Sequence, residues 1–105
     1  MALIIKQSEK FEDYLEAQRQ RFDFLDEKLL DFLEKKIEFY NQNPSGILPA
    51  VGSYDKAFSS NGPLRGAVQG ENLRHTHLAG DVNLVYSIVH SGKDKIIKLY
   101  DLYDL

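Results

Sequence analysis

The sequence predicts an α+β fold: an N-terminal strand, a helical hairpin, then an antiparallel three-stranded meander packed on the helices. Three observations carry this. Apolar residues recur at helical spacing from Phe11 to Tyr40, period-two alternation takes over after Leu73, and a stretch rich in glycine and proline separates the two. Runs of helix followed by runs of strand bury their apolar faces against one another in separate layers, which is the α+β solution.

Leu3-Ile4-Ile5 is short, apolar and mostly β-branched, as a first strand requires. Ser8 then stands as an N-cap before Glu9, Phe11 and Glu12, with acidic residues suiting a helix start. The apolar stripe runs through Phe11, Tyr14, Leu15, Phe22, Leu25, Leu29, Phe32, Leu33, Ile37 and Tyr40. One helix of that length would reach roughly 45–50 Å, too long for a compact domain of this size. The polar run Gln18-Arg19-Gln20-Arg21 marks the break, with Asp23 capping a second helix, so residues 8–43 form the hairpin. The aromatic residues of the stripe are core.

Asn41-Gln42-Asn43-Pro44-Ser45-Gly46 ends the second helix by removing a backbone donor and adding turn formers. Residues 44–72 are loop-rich and too long to be idle in so small a domain. Residues 73–103 form the meander: Leu73–Leu78 and Asn83–Val89 flank the tight turn Ala79-Gly80-Asp81-Val82, and a second turn at Ser91–Asp94 leads to a strand from Lys95 to Tyr103. The whole chain, 1–105, reads as one domain.

With 43% apolar residues and a mean hydropathy of −0.38, the chain fills one modest core. It has no cysteine, which excludes disulfides and thiolate metal sites. The apolar run at the N-terminus is too short for a signal peptide, and no stretch approaches the roughly 20 apolar residues of a membrane span. The expectation is a cytoplasmic protein with no membrane partner. Net charge is −3 but unevenly spread: residues 1–43 hold seven basic and ten acidic side chains, residues 56–98 six basic and three acidic. A polyanion therefore docks, if anywhere, on the second part, with the acidic helices turned away.

Leu73-Arg74-His75-Thr76-His77-Leu78 sets two of the three histidines two residues apart. A turn centred on Gly80-Asp81 pairs His77 with Leu84, His75 with Tyr86 and Leu73 with Ile88. The histidines then share the more apolar face, toward the helices, while Arg74, Thr76, Asn83 and Ser87 form the face where a substrate lies. A slip of one residue exchanges the two faces. Three readings of the pair stay open. They are half-buried structural residues, or two metal ligands, or a general acid and base. Metal is the poorest fit, since His90 falls too far along the sheet to be a third ligand. Two imidazoles beside an arginine supply the base, acid and cation of a metal-free ribonuclease. No glycine-rich phosphate loop, serine elbow or cysteine nucleophile is present, and no cofactor is expected.

Ile37-Glu38-Phe39-Tyr40 leading into Gly46-Ile47-Leu48-Pro49-Ala50-Val51-Gly52 resembles the helix end and G-x-L-P loop of YafO-type toxins of bacterial type II toxin–antitoxin systems. Leu73–Leu78 and Asn83-Leu84-Val85-Tyr86 are similar to that family's H-x-H-L and L-V-Y strands, and the layout resembles the wider RelE-like superfamily. The resemblance covers roughly residues 37–100. It implies a RelE-like toxin domain that cleaves mRNA on the translating ribosome and is neutralised by a cognate antitoxin, as a homodimer or a toxin–antitoxin hetero-oligomer. In the superfamily the strand entering L-V-Y often carries a catalytic arginine; Asn83 stands there, so Arg74 or Arg65 must supply the cation. The candidate catalytic residues are thus His75, His77, Arg74 and Arg65. Lys56, Asn83, Tyr86 and Lys98 are RNA-binding candidates, with Tyr86 orienting His75, and no residue is assigned to a metal. Tyr54 and Phe58 either stack on bases or pack within their loop. The rival reading, drawn from Asn83 and the chain's end at Leu105, is a catalytically inactive toxin-like interaction domain.

Overall fold

The computed structural model describes residues 2–57, 73–80, 82–91 and 94–104. They form an α+β fold with the order β1 (Leu3–Gln7), α1 (Phe11–Arg19), α2 (Leu25–Gln42), β2 (Lys56–Ala57), β3 (Leu73–Ala79), β4 (Val82–Ser91) and β5 (Asp94–Asp104). The meander grows into a five-stranded sheet, β1-β5-β4-β3-β2, because β1 joins β5 in parallel and the two-residue β2 adds to β3. Among the described residues no helix is long and apolar enough to cross a membrane.

The helix break falls where the polar run lies, at residues 20–24, with the cap one residue later than Asp23: α2 starts at Leu25 with Phe24 at its N-cap. Ser8 does not cap α1 with its side chain. Its hydroxyl instead donates to the Tyr100 carbonyl on β5, and only its own carbonyl accepts from the Phe11 amide. Arg19, in the last turn of α1, grips Asp26, in the first turn of α2, through Nε and Nη2, so one exposed pair fixes the corner.

Both helices cover one face of the sheet. Phe11, Leu15, Leu25, Leu29 and Phe32 cluster with Leu84, Tyr86, Ile88, Ile97 and Leu99, and the Phe32 and Tyr86 rings meet edge-on at 5.0 Å. Two bulges shape the strands behind them. Leu78 is the extra residue between His77, opposite Asn83, and Ala79, opposite Val82. Tyr100 is the extra residue of β5 opposite the Val85–Tyr86 step of β4.

The Leu78 bulge overturns the expected register. His75 opposes Val85 rather than Tyr86, and His77 opposes Asn83 rather than Leu84. Because strand side chains alternate, this offset of one exchanges the faces of β3 while β4 keeps Leu84, Tyr86 and Ile88 toward the helices. Gly80 closes the β3–β4 turn at φ +51°, and a Cβ there would sit 3.1 Å from the Phe22 ring. Gly80→Ala should therefore lower the unfolding free energy by about 1–2 kcal/mol, the cost of a left-handed non-glycine residue, read from urea denaturation.

Candidate functional site

Alternation along β3 decides which groups meet. His75 and His77 lie on the face away from the helices, with ring centroids 6.3 Å apart. β2 runs beside them and sets Lys56 opposite His75. Two residues before Lys56, Tyr54 stacks on His77 with centroids 5.0 Å apart and planes 19° from parallel. From β4, Asn83 Oδ1 lies 3.3 Å from His75 Nδ1. If that oxygen accepts, Nδ1 carries the proton and Nε2 keeps its lone pair, the tautomer of a general base. Both histidines are half-buried, while Tyr54 and Lys56 are exposed.

Arg74 and Thr76 project the other way. The face expected to hold substrate is thus divided: Arg74 and Thr76 lie on the helix side, and Asn83 and Ser87 are buried on the histidine side. Arg74 Nε donates to the Tyr86 hydroxyl at 3.2 Å, and Nη2 donates to the Asp55 carbonyl at 3.1 Å and toward Asp55 Oδ1 at 3.4 Å. Tyr86 therefore partners Arg74, not His75, and Asn83 lies against the His75 ring. Lys98 lies on β5, two strands from β3 and hence about 10 Å away, with its ammonium over the Tyr100 ring. Arg65 and Phe58 lie outside the described residues, as do the turn positions Asp81, Gly92 and Lys93.

The centre of the helix-side cluster is Asp55. Its carboxylate accepts from Lys36 Nζ at 2.8 Å, from the Val51 amide at 2.7 Å and from the Tyr86 hydroxyl. Lys36 Nζ also donates to the Pro49 carbonyl at 2.7 Å, and the side chains of both Lys36 and Asp55 are wholly inaccessible. The loop from Pro49 to Asp55 is thereby tied to α2, β3 and β4, which fixes Tyr54 and Lys56 beside the histidines. Lys36 was detectable in the sequence. The buried positions of α2 are Leu25, Leu29, Phe32, Lys36 and Tyr40, so a lysine occupies the apolar stripe and needs a buried acid. No comparable signal marks Asp55 as that acid.

Burial alone would push the Asp55 carboxyl up; the bonds from Lys36, Tyr86 and Val51 outweigh it and hold the group below the usual carboxylate range. The folded value lies below the unfolded one of about 3.9. The carboxylate therefore stabilises the fold fully above about pH 4 and loses that contribution as pH falls through the folded value. Unfolding free energy measured against pH should decline on that acid limb, and Asp55→Asn should flatten it. His90, the third histidine, lies on the helix side and accepts from the Leu48 amide at 3.4 Å; burial, then the charges of Lys95 and Lys36, draws it below the ordinary imidazole value. Among the described residues, no three His, Asp or Glu side chains converge as metal ligands.

No protein-family model matches the chain, and no curated protein sequence matches it. Solved structures do. A YoeB/ParE toxin from Agrobacterium tumefaciens superposes with a TM-score of 0.59 at 13% identity, over 97% of this chain and 98% of that one. A metal-bound toxin from Helicobacter pylori superposes with a TM-score of 0.55 at 24% identity, over 98% of this chain and 94% of that one. At these identities the likeness is one of architecture: the chain has the α+β fold of YoeB/ParE-like bacterial toxins along nearly its whole length.

Proposed function

We propose that this protein is the toxin of a type II toxin–antitoxin system, of the YafO type, and cleaves mRNA on the ribosome in the cytoplasm without a metal. The observation that carries the reading is the pair His75 and His77 beside Lys56 on the face away from the helices, with Asn83 addressing the first ring. Each catalytic nitrogen must come within about 3 Å of its oxygen on one phosphate, and rings 6.3 Å apart can flank such a group.

In this mechanism His75 Nε2 takes the proton of a ribose 2′-hydroxyl, and the oxygen attacks the adjacent phosphorus. The bond from phosphorus to the 5′-oxygen of the next nucleotide breaks, and protonated His77 delivers a proton to that leaving oxygen. The products are a 2′,3′-cyclic phosphate and a 5′-hydroxyl. Lys56, and Arg65 from its own segment, neutralise the charge gathering on the phosphate oxygens. Lys98 receives RNA farther along the strand. Arg74 acts indirectly, through Asp55 and the loop it holds. A cognate antitoxin, in a hetero-oligomer with this chain, silences the activity.

The test adds purified protein to a translation extract and maps mRNA ends. Codon-positioned cuts that require ribosomes, with cyclic phosphate on the upstream fragment, are expected. No cleavage with or without ribosomes would sink the enzyme and favour the alternative, an inactive toxin-like interaction domain, to which Asn83 in place of an arginine also points.

A further inference from the structure

We propose that Tyr54 is a nucleobase-binding platform: its outward ring face stacks a base of single-stranded RNA adjoining the phosphate held by His75, His77 and Lys56. The inference rests on the RNA-cleaving reading and adds a subsite to it.

Three observations converge on this ring. Tyr54 is 61% exposed even though its ring stacks on His77. One face lies on the imidazole, so the exposure belongs to the opposite face and the edge. A large aromatic face turned to solvent is a stacking surface for any base, because every base presents a π-face. The ring is also held in place. The next residue, Asp55, is inaccessible and bonded to Lys36, Val51, Tyr86 and Arg74, and the residue after that enters β2 opposite His75. A base landing on Tyr54 therefore orders little protein, which spares the entropy that usually weakens a loop contact. Finally, Tyr54, in the turn just before β2, stacks on His77, while Lys56 opens β2 opposite His75, and the two histidines lie two residues apart on one face of β3. A cation for a phosphate thus stands next to a flat surface for the base that follows it. Stacking carries no hydrogen-bond code, so this subsite distinguishes unpaired from paired bases rather than one letter from another, with purines favoured for their larger ring.

The experiment measures affinity for a single-stranded 2′-O-methyl hexanucleotide, which lacks the attacking hydroxyl and is not cut, and for the same backbone made abasic. Wild type, Tyr54→Phe and Tyr54→Ala are compared, each with its thermal midpoint recorded. Tyr54→Phe should bind within about twofold of wild type. Tyr54→Ala should bind the base-bearing strand about tenfold or more weakly, as the loss of one stacked base implies, yet bind the abasic strand as wild type does. Equal weakening toward both strands, or none toward either, would overturn the platform while leaving RNA binding intact; the second result would suit a protein contact at this ring instead. Failure of the wild-type protein to bind the base-bearing strand at all would overturn the RNA reading together with the platform.

Discussion

Replacing His75 with alanine should slow the proposed ribosome-dependent mRNA cleavage by about 10²–10⁴-fold, the usual contribution of a positioned acid or base. His77→Ala should lose a comparable factor. In the proposed mechanism the two rings act on one displacement, so the double variant should be little slower than the slower single variant. A structural role predicts another pattern. Both rings are only half-buried, and neither belongs to the cluster of Phe11, Leu25, Leu84 and Tyr86 that makes the core. Their removal should leave the urea midpoint nearly unmoved while activity collapses. Full activity in His75→Ala would take the chemistry away from this face, whatever happened to stability.

Asp55→Ala should lower the unfolding free energy by about 3–5 kcal/mol, as breaking a buried ion pair from one side does. The carboxylate is the charged partner of Lys36, whose side chain has no access to water, and Lys36 would keep only the Pro49 carbonyl. The Val51 amide and the Tyr86 hydroxyl would lose their acceptor at the same time. Against a typical total of about 5–15 kcal/mol, that loss brings the protein close to unfolding at ambient temperature. Adding Lys36→Met to Asp55→Ala should recover part of it, because no stranded ammonium remains. Urea unfolding of the three variants and wild type decides the matter, and a single variant within about 0.5 kcal/mol of wild type, the range of ordinary surface changes, would refute the network's role. Activity should fall with stability here, since Tyr54 and Lys56 flank Asp55 in the chain.

These two sites differ in how far the sequence announced them. The helical stripe, the break near Gln20 and the strand alternation after Leu73 are local patterns, and they gave the α+β architecture with its hairpin and meander. The parallel docking of β1 on β5 and the short β2 are pairings between distant segments, which no local period encodes. The histidines were legible as a pair by their spacing. Their direction was not, because one extra residue at Leu78 turned β3 over, and a bulge leaves no mark in a pattern of period two. The same inversion sent Arg74 from an expected phosphate contact into the Asp55 network and transferred the care of His75 from Tyr86 to Asn83.

The parallel pairing of Leu3–Gln7 with Lys95–Leu99 joins segments about ninety residues apart, sealed at its ends by Ala2 with Asp94 and by Ser8 with Leu99. During synthesis the first strand emerges with nothing to pair with until the last one follows, and closing so long a loop is among the slower events of folding. A nascent chain of this design cannot complete its sheet early. Any activity that depends on the finished sheet is delayed until translation has passed these strand residues.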